Sequence, residues 1–141
     1  MDFLFEFSAF RLQNGHMNDS VIPQDARQFL LKNIETIAQL EGLLLLRADP
    51  GSAWDAPAVA RNLYIDEPEA AQVLERLAAR GMLSVDGSRY AYAPANPDIA
   101  AMIDQIAGLY GRYLIAITHV IHSRPKSRVQ EFANAFRIRK D

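Results

Sequence analysis

The sequence predicts a mainly α-helical chain with one small β-hairpin and a long apolar-faced helix behind it. Three observations lead there. Apolar residues within 29–46 and within 73–77 recur at helical spacing, between Pro, Gly and capping residues. Two short runs, 82–85 and 88–92, flank Asp86-Gly87, a strong hairpin signal. Ile99, Ile103, Ile106, Tyr110, Tyr113, Ile117 and Val120 are spaced 4, 3, 4, 3, 4 and 3, which is a heptad seam.

Half of the 141 residues are hydrophobic and 23% are charged, the balance of a globular chain. The length allows one domain with an appendage. Without cysteine there is neither a disulfide nor thiolate chemistry, which fits the expectation of a cytoplasmic protein. No apolar stretch reaches the roughly 18 residues that a membrane-spanning helix requires. The opening Phe3-Leu4-Phe5-Glu6-Phe7 lacks a basic flank and is interrupted by Glu6, so it makes a poor signal peptide. Gly15-His16-Met17 looks like a cloning junction. Residues 1–16 are therefore expected to be an appended or alternative-start segment without an assigned function, and Met17 to open the natural chain.

The elements follow in order. Pro23 starts a helix, with Asp19 or Ser20 as candidate caps, and Phe29, Leu30, Ile34, Ile37 and Leu40 continue its stripe. Gly42 falls near the junction of this run with 43–46, and Asp49-Pro50-Gly51-Ser52 stops it. Asp55 caps a short helix over 58–63, with Pro57 in its first turn. Asp66 caps the next, where Pro68 lies in the first turn and Glu67 and Glu69 sit at the positive end of the dipole. Gly81 ends that helix after Arg76 and Arg80. Pro94 and Pro97 close the hairpin, Asn96 or Asp98 caps the long helix, and Pro125 ends it. The expected organisation is a domain over 17–95, a long amphipathic dimerisation helix over 96–123 and a basic amphipathic tail over 124–141.

Helix, short helix, tight turn, helix, Gly and hairpin is the order of a winged helix-turn-helix. Residues 37–46 resemble its first core helix and 56–65 its second, where the small Ala60 would allow a close crossing. Residues 69–81, running into Met82-Leu83, resemble its recognition helix. The pattern is similar to many bacterial transcriptional regulators of the MarR, PadR and Rrf2 kind, over about 60 residues and without a subfamily. The resemblance implies a recognition helix in the major groove and a wing along the backbone. Carried onto this sequence, it implies helix contacts from Glu69, Gln72 and Arg76, wing contacts from Ser88 and Arg89, and phosphate contacts from Arg61 and Asn62.

The charge pattern departs from that expectation. The presumed recognition helix opens with Asp66-Glu67-Pro68-Glu69, and residues 53–93 hold four Lys/Arg against six Asp/Glu, a net of −2. Phosphate neutralisation supplies most non-specific DNA affinity, so this face is a weak binder alone. The chain is markedly asymmetric. From Arg112 onward seven Lys/Arg meet two Asp/Glu (+5), whereas residues 1–111 hold eight against fifteen (−7). Arg124, Lys126 and Arg128 in the tail are thus further candidates for phosphate contact. Val129, Phe132 and Phe136 recur at helical spacing and form an apolar stripe for docking, on the chain itself or on another protein. Two functions remain open. One is a homodimeric regulator that binds double-stranded DNA. The other is a non-enzymatic adaptor, with the same fold and tail, that binds a protein.

The seam residues Ile99, Ile103, Ile106, Tyr110, Tyr113, Ile117 and Val120, widened by Met102, Leu109, Leu114, Ile115 and Ile121, give a helix too apolar to stay solvated. The economical partner is a second copy, so these seven are the expected dimer interface. Gly108 and Gly111 lie beside it and would permit close crossing or a kink.

No cofactor, metal or enzymatic activity is expected. His119 and His122 share a helix face but have no nearby carboxylate or Cys. There is no phosphate loop, nucleophile elbow or paired acid motif.

Overall fold

The computed structural model describes residues 21–123. They form, in order, α1 (Gln24–Asn33), α2 (Ile37–Ala48), α3 (Ala56–Leu63), α4 (Glu67–Ala79), β1 (Leu83–Asp86), β2 (Arg89–Tyr92), α5 (Pro97–Arg112) and α6 (Leu114–His122). The chain is mainly α with one antiparallel hairpin, as expected.

Local chemistry explains most boundaries. Thr36, Asp55, Asp66 and Asn96 each accept a backbone N–H three residues on, at 3.1, 3.0, 2.8 and 2.9 Å, and so cap α2, α3, α4 and α5. At the end of α4, Gly81 takes φ +82°. Its N–H returns to the Ala78 carbonyl and the Met82 N–H to the Leu77 carbonyl, both at 3.1 Å. That pair of bonds satisfies the last carbonyls, and buried Met82 and Leu77 complete the motif. The hairpin pairs Leu83 with Tyr92 and Asp86 with Arg89. Its two-residue loop is Gly87-Ser88, with Gly87 at φ +64° as a tight hairpin turn demands. Trp54, half-buried against the core, extends this sheet. Its N–H and C=O exchange bonds with those of Tyr90 at 2.7 Å.

Two helices run differently from the sequence expectation. The apolar run that begins at Pro23 is not one helix. Ile34 turns extended (φ −121°, ψ 119°), and α2 restarts at the Thr36 cap. The heptad-spaced helix is likewise two helices, broken at Tyr113 (φ −127°, ψ 51°). Gly108 and Gly111 lie in the last turns of α5, and a Cβ on either would meet nothing within 4 Å. Among the described residues they serve no close crossing. Their effect is to weaken the helix, by about 1 kcal/mol each relative to Ala, just before the break.

One continuous core results. The α2–α3–α4 group packs with the hairpin, while α1, α5 and α6 pack on one another. Ile103, Ile106, Ile117 and Val120 are each buried inside the single chain. This corrects the expectation that all seven seam residues face a second copy. The physical reason is the break at Tyr113, which lets α6 lie back on α1 and satisfies the seam within the chain. Ile99, Tyr110 and Tyr113 are half-buried, and Leu114 (49%) and Ile115 (45%) are the large apolar side chains left open near the junction.

Candidate nucleic-acid interface

The site is built around α4. Ala70, Val73, Leu74 and Leu77 point into the core, so the opposite side of the helix faces solvent. Glu69, Gln72 and Arg76 are exposed on three successive turns of that side. The helix is seated by an unusually close approach. A Cβ on Gly42 of α2 would come within 2.8 Å of Val73 Cγ1, so only glycine fits there. The sequence suggested Ala60 for the close crossing, and Ala60 is buried; Gly42 marks a second close approach that the sequence did not single out.

The turn before α4 carries a second constraint. Tyr64 caps α3 in the left-handed region (φ 59°, ψ 44°), where glycine is usual, and the Ile65 N–H returns to the Ala60 carbonyl at 3.1 Å. Its side chain is 94% exposed. A bulky residue in this conformation is strained and makes no compensating contact with the core. It stands next to Asp66 and so flanks the start of α4.

The structure leaves some of the expected contact residues exposed and engages others in bonds within the chain. Gln72 is exposed on α4, and Ser88 and Arg89 are exposed at the hairpin tip. Arg61 is exposed on α3. Asn62 is exposed too, but its side-chain amide donates to the Ala58 carbonyl at 2.9 Å, a bond within its own helix. Arg76 is half-exposed and donates from Nη1 to Glu35 Oε1 at 2.6 Å. Arg124, Lys126 and Arg128, and with them Val129, Phe132 and Phe136, lie outside the described residues.

Electrostatically the face is acidic at its leading end. Asp66, Glu67 and Glu69 cluster at the helix start and Glu75 follows on the exposed side, whereas Arg76 is the one cation within α4. The carboxylates belong there for the stability of the helix. Asp66 satisfies the Glu69 N–H, and all three favour the positive dipole end. The arrangement that stabilises the helix thus opposes a phosphate backbone.

Two polar contacts tie α5 to the winged unit. Arg47 Nε at the end of α2 donates to Asp104 Oδ1 at 3.0 Å. The Tyr92 hydroxyl sits beside this pair. Burial and the Asp104 charge push its pKa up, and Arg47 partly offsets them. Tyr110 donates to Glu41 Oε2 at 3.0 Å. Burial, and the hydrogen bond to that carboxylate, push its pKa up to about 12.

An open cleft of about 530 Å³ lies between α1 and α5 and reaches Arg80 at the end of α4. Phe29, Ile99 and Met102 are its apolar lining, and Asp25 and Lys32 are charged groups on the α1 side. Among the described residues no group of three His, Cys, Asp or Glu is placed to hold a metal ion. No described helix is long and apolar enough to cross a membrane.

No protein-family model and no curated protein matches the chain. Several solved structures have a similar chain course. A Bordetella bronchiseptica protein, BpsR, whose DNA binding is regulated by 6-hydroxynicotinic acid, is 23% identical, with 83% of this chain and 84% of that one covered and a TM-score of 0.44. An Escherichia coli MarR variant is 16% identical over 89% and 90%, at a TM-score of 0.47. A Staphylococcus aureus MepR variant bound to an oligodeoxyribonucleotide is 15% identical over 99% and 93%, also at 0.47. MepR is a transcription regulator of a multidrug efflux pump, and at such values the likeness assigns no ligand or partner to this chain.

Proposed function

We propose that this chain is a DNA-binding transcriptional regulator that acts as a homodimer. The observation that carries the proposal is the presentation of α4. A buried face and the Gly42 crossing fix this helix so that Gln72 and Arg76 stand out from the body, and the same chain presents Ser88 and Arg89 at an exposed hairpin tip. An outward helix and a projecting two-stranded flap suit a groove and the neighbouring backbone. Arg61 adds a cation on α3.

The acidic leading end of α4 leaves much of the phosphate attraction to the basic residues 124–141, which have six Lys/Arg and two Asp/Glu. A dimer doubles that charge and presents two recognition helices. Leu114 and Ile115, left open beside Gly108 and Gly111, are the surface we assign to the second copy, in place of the buried part of the heptad seam.

A second function is favoured by one specific observation. Tyr64 is an exposed aromatic beside Asp66, Glu67 and Glu69, a combination that would suit a basic protein partner. Binding to mixed-sequence duplex DNA, measured against salt, separates the two. Salt-sensitive binding that weakens when residues 124–141 are deleted supports the regulator. Absence of binding at every salt concentration leaves the adaptor. A light-scattering mass of 15.8 kDa at micromolar concentration would reject the dimer.

A further inference from the structure

Glu35 lies in the linker between α1 and α2 and is fixed there. Its N–H donates to Gln39 Oε1 at 2.8 Å, and the Gln39 N–H in turn donates to Thr36 Oγ1 at 3.1 Å. Gln39 is only 5% exposed, so the linker is held by a buried amide. The Glu35 carboxylate then reaches two cations one helical turn apart. Oε1 accepts from Arg76 Nη1 at 2.6 Å, and Oε2 lies 3.7 Å from Arg80 Nη2. Arg80 also donates to the Lys32 carbonyl on α1. Arg76 is the one cation within α4, and Arg80 is its C-cap. A single carboxylate outside the helix-turn-helix therefore holds both.

We propose that Glu35 occupies the place of a DNA phosphate and is an autoinhibitory contact, which the backbone must displace before Arg76 can bind it. The inference rests on the DNA-binding function proposed above. Two acidic oxygens set against two guanidinium groups reproduce what a phosphate offers. The pair is half-exposed, at 47% for Arg76 and 32% for Glu35, so it is weak enough for a phosphate to compete with. Because Glu35 belongs to the α1–α2 corner, movement of α1 against α4 changes how firmly the arginines are held.

The test compares the full chain with Glu35→Gln, by fluorescence anisotropy on a short mixed-sequence duplex between about 50 and 200 mM salt. Release of the arginines should tighten binding about three- to fivefold at the low-salt end, the size of one exposed pair. The slope of log affinity against log salt should steepen by about one. Adding Arg76→Ala should abolish the gain. Glu35→Asp, which keeps the charge and shortens the reach, should give a smaller gain of the same sign. Equal or weaker binding by Glu35→Gln would overturn the proposal and leave Glu35 a structural brace. If no form binds DNA, elution from a heparin column decides separately. Later elution of Glu35→Gln, lost with Arg76→Ala, keeps the clamp and rejects the DNA-binding function. Unchanged elution rejects the clamp.

Discussion

The winged unit and the α5–α6 segment reached their structures by different routes. From α3 to β2 each boundary is set by a group that bonds its own neighbours: Asp55, Asp66, Gly81 and Gly87 act within a few residues of themselves. In α5–α6 the dominant signal is apolar periodicity. A heptad seam says that a face must be buried but not by what. Here α1 and the fold-back of α6 supply most of the cover that a second copy was expected to give. Local chemistry specifies position, whereas periodicity specifies only a demand for contact.

The largest expected effect tests that contrast at Ile117. It is wholly buried within one chain, so Ile117→Ala should cost about 2–5 kcal/mol, with a loss independent of protein concentration in thermal melts. A loss that grows on dilution would return the residue to an intermolecular seam.

The next effect sharpens the account of the winged unit. Gly42→Ala places a Cβ 2.8 Å from Val73 Cγ1, a stiff β-branched side chain. It should destabilise by about 1–3 kcal/mol in denaturant unfolding, despite alanine's better helix propensity. Val73→Ala is destabilising alone, yet combined with Gly42→Ala it should recover part of the loss. Additive costs would show that the crossing is not the reason for the glycine.

The smallest effect lies in α5. The Tyr110 pKa is raised to about 12, so the folded chain keeps its proton where the unfolded chain, near 10, has lost it. Its stabilisation is complete below pH 10 and disappears as the pH rises towards 12. Tyr110→Phe should therefore flatten the alkaline fall of Tm in that window, by a few degrees at most. An unchanged slope would mean that the Glu41 bond contributes nothing there.

Much of the winged unit was legible. The caps, the Gly81 stop and the Gly87 hairpin turn all follow from residue type and spacing. The break between α1 and α2 had a signal as well, since Thr36-Ile37-Ala38-Gln39 is a capping pattern at the start of an apolar run. The continuous stripe through Ile34 and Ile37 concealed it. Glu35 had no such signal, because its partners Arg76 and Arg80 are more than forty residues away along the chain. For the same reason Arg76 looked like a simple phosphate contact. The full exposure of Tyr64 could not be inferred from an aromatic residue at a helix end.

By itself the sequence determined where most helices start and stop, the hairpin and its turn, and an acidic start to α4 in a chain whose basic charge collects at the end. Those properties depend on groups only a few bonds apart, or on charge, which needs no geometry. Tertiary structure alone decided that the heptad seam is largely buried inside the chain, that Gly42 is where α2 and α4 cross, and that Glu35 holds Arg76 and Arg80. Each is a contact between distant segments, and such contacts exist only once the core has set the distance between them.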